Sequence, residues 1–132
     1  MKDAYPIVLR PEKEGFYVIV PDFDITTQGN SIADAMEMAR DAIGLVGIDM
    51  QDENEPLPKP YSHEISKAKN DIITYVDVDF IEYRRRNEKR SVKKNCTIPY
   101  WLSIEADKAN VNYSRILQDA LAKTLGLQIN NY

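Results

Sequence analysis

The chain has 132 residues, 43% of them hydrophobic, with 17 Lys/Arg against 21 Asp/Glu and a formal net charge of −4. That length suits one compact domain with a small appendage, and no apolar run comes near the ~20 residues needed to span a bilayer. One cysteine, Cys96, and one histidine, His63, exclude a disulfide framework and leave no metal-ligand spacing, so neither a metal nor a cofactor is expected.

The opening MKDAYPIVLRPEKEG lacks the apolar core of a secretory signal, so a cytoplasmic address is expected. The modest total charge hides two opposite halves. Residues 1–83 carry 7 Lys/Arg and 17 Asp/Glu, a net of −10, while residues 84–132 carry 10 and 4, a net of +6. Such asymmetry points to a polyanion as partner of the second half, against the plainer reading of an acidic domain with a solvated basic linker.

Residues 5–9 and 16–20 are short runs of Val, Ile and aromatics around RPEKEG, and read as an antiparallel hairpin. Pro21-Asp22 turns the chain into a third strand over 24–28. Ser31 is placed to cap a helix, with Asp34 three residues on. Ile32, Ala35, Met36, Ala39, Ala42, Ile43 and Val46 follow at helical spacing for about four turns, with Gly44 and Gly47 weakening the end. Residues 50–63 hold three prolines and several acids and form a loop. Residues 72–80 alternate, with Thr74, Val76, Val78 and Phe80 on one face and Ile73, Tyr75, Asp77 and Asp79 on the other. This gives an α+β fold class: a βββαβ domain over 1–81, a small sheet with one helix. Residues 82–90, EYRRRNEKR with its neighbours, read as a basic linker or a helical extension.

Residues 91–132 form a second domain of strand, helix, helix. Val92, Cys96 and Ile98 share one strand face, and Lys93, Asn95 and Thr97 share the other. Pro99 suits the first position of a helix carrying Trp101, Leu102, Ile104 and Ala109. Asn112 can cap a last helix with Ile116, Leu117, Ala120, Leu121 and Leu125 on its core face, closed by Gly126. A unit of about 40 residues without metal or disulfide needs a partner chain. Strand-helix-helix with a polar strand face is the ribbon-helix-helix plan, in which two chains form a homodimer and the paired strands enter the DNA major groove. Lys93, Asn95 and Thr97 have the chemistry to read base edges. Asn112, Tyr113 and Ser114 open a helix whose N-terminal amides suit a phosphate. Arg84, Arg85, Arg86 and Arg90 are further candidates for phosphate contact.

Asp22, Asp24, Asp77 and Asp79 have the chemistry for a two-metal site. No Glu or His completes it, His63 reads as a surface residue, and no nucleophile triad, CxxC or phosphate loop is present. No catalytic residue is assigned, and the protein reads as a non-enzyme.

Two segments carry a family resemblance. YPIVLRPEKEGFYVIVPDFDITTQGNSIADAMEMARDAI resembles the start of HicB-type antitoxins, with their Tyr-Pro strand, acidic-Gly hairpin, Pro-Asp, Thr-Gln-Gly turn and Ala-rich helix. CTIPYWLSIEADKANVNYSRILQDALAKTL resembles the ribbon-helix-helix tail of some members. DFDITTQG departs from the usual Leu-Pro-Gly-Cys step after Pro-Asp. The resemblance implies a degenerate RNase H-like N-terminal domain without catalysis, which binds and neutralises a small basic RNA-cleaving toxin, HicA. It also implies a tail that represses the shared operon by binding operator DNA. Asp22, Asp24, Asp77 and Asp79 then become candidate toxin-facing acids, and a second contact through the N-terminal sheet would make tetramers or hetero-oligomers with toxin. Two alternatives stay open: a repressor whose N-terminal domain senses a small ligand, and an RNase H-like nuclease.

Overall fold

The computed structural model describes residues 2–129. It divides into two compact units, Met1–Arg90 and Ser91–Tyr132. In the first unit, β1 (Lys2–Pro11), β2 (Phe16–Val20), β3 (Ile25–Gly29) and β4 (Ile72–Asp79) form one antiparallel sheet in the order β3-β2-β1-β4. A 3-10 turn over Pro21–Phe23 links β2 to β3, and α1 (Ile32–Asp52) links β3 to the loop that leads into β4. The expected α+β class and βββαβ order are therefore present.

Alternation decides which side of the sheet is covered. Tyr5, Ile7 and Leu9 of β1, Val18 and Val20 of β2, and Val76 and Val78 of β4 pack against Ala35, Ala39 and Ile43 of α1. Tyr5 sits at the centre, edge-on to Phe23 at 4.9 Å and to Phe80 at 6.4 Å. Burial of these side chains supplies the main stabilisation of the unit.

Helix α1 begins as its sequence implies. Ser31 Oγ accepts from the Asp34 N–H at 3.0 Å, and Asp34 reaches back to the Asn30 N–H at 2.8 Å. It does not weaken at Gly44 and Gly47 but runs on to Asp52. The two glycines are contact points. A Cβ on Gly44 would lie 2.3 Å from Tyr83 Cδ2, and one on Gly47 would lie 2.2 Å from Phe80 Cε1. Both rings belong to α2 (Phe80–Asn87), which starts directly after β4 with Asp79 accepting from the Glu82 N–H at 3.1 Å. The stretch 82–90, expected as a basic linker or a helical extension, is helix as far as Asn87 and packs on α1, and the first compact unit runs to Arg90.

In the second unit, α3 (Tyr100–Lys108) follows Pro99 and α4 (Tyr113–Leu125) follows Asn112, as their start signals predict. No residue of either helix is buried. Tyr100, Trp101 and Leu125 are 81%, 67% and 67% exposed. The segment expected as a strand, 91–98, lies outside regular structure in the single chain. A strand exists only through a ladder with a neighbour, and no such neighbour is present here. Among the described residues no helix is long and apolar enough to cross a membrane.

Candidate functional site

The two units present different surfaces. In the second unit, Lys93, Asn95 and Thr97 are all exposed, at alternate positions of the segment before α3. The start of α4 is more committed than its sequence implies. Asn112 Oδ1 caps the helix by accepting from the Arg115 N–H at 3.0 Å. The Tyr113 hydroxyl donates to the Asp107 carboxylate, and that bond pushes its pKa up. Ser114 stays exposed in the first turn. The amide end of α4 is therefore ordered by Asn112 and Tyr113, and Ser114 is the exposed hydroxyl beside it.

The arginines on and after α2 are largely paired within the first unit. Arg84 bridges Asp52 at 2.9 Å and Glu88 at 2.9 Å, and also donates to Ile48 O at 3.2 Å and Gln51 Oε1 at 3.3 Å. It ties α2 to the C-terminal turn of α1, where a cation also meets the negative end of the helix dipole. Arg84, expected as a phosphate contact, is thus engaged within the first unit. Arg85 and Arg86 both reach Glu82, holding its carboxyl below the usual range, and Arg90 reaches Glu88. Arg86 and Arg90 remain 74% and 78% exposed, so they still present charge to a partner.

The structure gives the four candidate acids separate roles. Asp22 is 3% exposed and accepts from the Tyr61 N–H at 3.0 Å, the His63 N–H at 3.2 Å and the Ser62 hydroxyl at 3.2 Å. It is a clamp for the long loop before β4, not a toxin-facing side chain. His63 itself is exposed, as expected. Asp24 is exposed with a left-handed φ of 52°. Asp77 pairs with Lys2 at 3.1 Å and Arg40 at 3.2 Å, and these cations hold its carboxyl below the usual range. Asp79 is held low chiefly by the Glu82 N–H that it caps. Asp77 and Asp79 do line one open groove of about 390 Å³ with Lys2, Glu37, Arg40 and Asp41. Its charge is mixed, and among the described residues no three His, Cys, Asp or Glu side chains converge on a possible metal.

One ion pair with a fully buried carboxylate has no signal in the sequence. Asp71, just before β4, accepts from Arg10 at 3.1 and 3.0 Å and from the Ala68 N–H at 2.8 Å, which together hold its carboxyl below the usual range. This fork fixes the entry of β4 beside β1.

Comparison with known proteins identifies the ensemble. Residues 5–124 match the family described as HicB-like antitoxin of bacterial toxin–antitoxin systems. The chain belongs to that family. A protein of Haemophilus phage HP1, described as an uncharacterized 14.9 kDa protein of the rep-hol intergenic region, is 32% identical over 109 residues, 79% of each chain. Antitoxin HicB of Escherichia coli K12 is 42% identical over 66 residues, 46% of this chain and 47% of its own. A toxin–antitoxin complex from Streptococcus pneumoniae matches with a TM-score of 0.57 at 26% identity, over 94% of this chain and 99% of that one. Membership of the HicB-like family gives the chain the role of an antitoxin and agrees with its α+β first unit.

Proposed function

We propose that this antitoxin neutralises a small basic RNA-cleaving toxin of the HicA type with its first unit, and represses its own operon by binding operator DNA with its second. The observation that carries the second part is the state of residues 100–125. Their helices hold Trp101, Leu102, Ile104, Ile116, Leu121 and Leu125, yet bury none of them. A pair of helices so arranged is stable only when a second copy covers its apolar side. In a ribbon-helix-helix homodimer the 91–98 segments of two chains also gain the strand partner that each lacks alone. Lys93, Asn95 and Thr97 then project together from the ribbon into the major groove. The amide end of α4, with Ser114, together with Arg86 and Arg90, contributes phosphate contacts.

Neutralisation rests on the family match and on charge. The first unit keeps its own complete core and a net negative charge over residues 1–83, which complements a basic ribonuclease. Catalysis by this unit itself has little support, since Asp22, Asp77 and Asp79 are each engaged by donors of the chain. Co-expression with a cognate HicA-type toxin tests the reading. A stable complex and rescued growth are expected; independent elution of the two proteins with persistent toxicity would refute it.

A further inference from the structure

The face of the sheet turned away from α1 is unlike an ordinary solvent face. Alternation along β1 places Pro6 and Val8 there, between the core residues Tyr5, Ile7 and Leu9. The register brings Tyr75 beside Pro6, and sets Ile73 and Ile19 on either side of Val8. Pro6 and Val8 are buried without belonging to the core against α1. Ile73 and Tyr75 stay 39% and 51% exposed. An antiparallel sheet with one wet face normally reads apolar-in and polar-out. A contiguous apolar face is instead the mark of an interaction site.

Tyr61 completes this face at a backbone cost. It lies on the loop before β4 with a left-handed φ of 62°, a region that bulky side chains avoid. Its N–H donates to the buried Asp22 carboxylate at 3.0 Å, which also accepts from the Ser62 hydroxyl and the His63 N–H, each at 3.2 Å. The ring so held is 55% exposed and sits edge-on to Tyr75 at 6.0 Å. Backbone strain of this kind persists only where the surroundings fix it, and it gathers at functional positions. Tyr61 takes no part in the core, so what the Asp22 clamp secures is an exposed ring.

Given the neutralisation reading above, we propose that this face is where the first unit receives its toxin, with Tyr61 as the anchor and Tyr75 and Ile73 beside it. Charge decides the occupant. Residues 1–83 carry a net of −10, and between 53 and 64 the loop around Tyr61 holds Glu53, Glu55 and Glu64 against Lys59 alone. A nucleic acid or a second acidic first unit meets repulsion there, whereas a cationic protein is drawn in. Tyrosine suits the centre of such a contact, because it brings a large ring with a polar tip. A ring fixed in advance also costs little ordering on binding. Asp22 is therefore a positioning residue, acting through Tyr61 and touching no partner itself.

The test titrates the full chain against a purified cognate HicA-type toxin by calorimetry. Tyr61→Asn removes the ring while asparagine accepts the left-handed backbone, so the variant stays folded by circular dichroism. Its toxin affinity should fall by about tenfold or more, as at an interface hot spot, and adding Tyr75→Thr should lower it further. Asp22→Ala should weaken binding in the wild-type chain and weaken it no more in Tyr61→Asn, because its effect runs through that ring. Equal losses in both backgrounds would overturn the positioning role. Wild-type affinity in Tyr61→Asn/Tyr75→Thr would overturn the proposal and leave the toxin reading standing. No binding by the wild-type chain would refute both. A fall in the mass of the isolated antitoxin on the same double substitution, by light scattering, would assign the face to a second copy and overturn the proposal likewise.

Discussion

Gly47 of α1 lies directly against Phe80 of α2, so closely that a Cβ on the glycine would sit 2.2 Å from the ring. Helix propensity alone favours alanine over glycine by about 1 kcal/mol. The contact reverses that preference, because Phe80 is buried and cannot swing away.

Gly47→Ala should therefore destabilise the first unit, by about 1–3 kcal/mol as for other overpacked sites. Urea unfolding followed by circular dichroism measures it. A variant as stable as wild type would mean that α2 is not held against α1 in this way.

These glycines also mark where sequence reasoning stops. The period-two pattern of 72–80 made β4 legible, and Ser31, Pro99 and Asn112 announced three helix starts that the structure places within a residue. Gly44 and Gly47 read as a weak helix end, because the rings that need their missing Cβ atoms lie over thirty residues downstream. Asp22 likewise has no local signal, since its partners Tyr61, Ser62 and His63 come from a distant loop. The pairing of the arginine run with acids was partly legible. The spacing of Glu82 to Arg85 and Arg86 already allowed pairs on a helix, although Asp52 as the partner of Arg84 was not visible.

Asp22→Ala should free the loop it clamps and leave the core intact. Three backbone and hydroxyl donors lose one buried acceptor, so hydrogen exchange at the Tyr61 and His63 amides should quicken at least tenfold while the amides of β1 stay protected. Equal exchange in the variant and wild type would dismiss the clamp.

The Asp71–Arg10 fork sets a pH dependence. Its carboxyl titrates below the unfolded value of about 3.9, so its stabilisation is fully present above that value and is lost as pH falls through the lower folded value. Arg10→Gln removes the main cause of the shift and should move the midpoint of acid unfolding to higher pH. An acid titration that superimposes on wild type would show that the pair contributes nothing.

On the DNA side, Asn95→Ala should cost about 1–3 kcal/mol at the operator and relax preference at the base it reads. Arg86→Ala and Arg90→Ala should instead weaken all sequences alike and flatten the salt dependence. Fluorescence anisotropy at several salt concentrations separates the two behaviours. Unaltered operator affinity in Lys93→Ala/Asn95→Ala/Thr97→Ala would refute the ribbon as the reading element.

Division of labour between the two units is most directly tested with residues 1–90, which contain the whole α1-covered core. Purified toxin is incubated with RNA while this fragment is titrated in, and intact RNA is quantified. The account predicts full protection near stoichiometric fragment, with no cleavage by the fragment alone. RNA degraded at the same rate with excess fragment, or cleaved by the fragment in the absence of toxin, would contradict it.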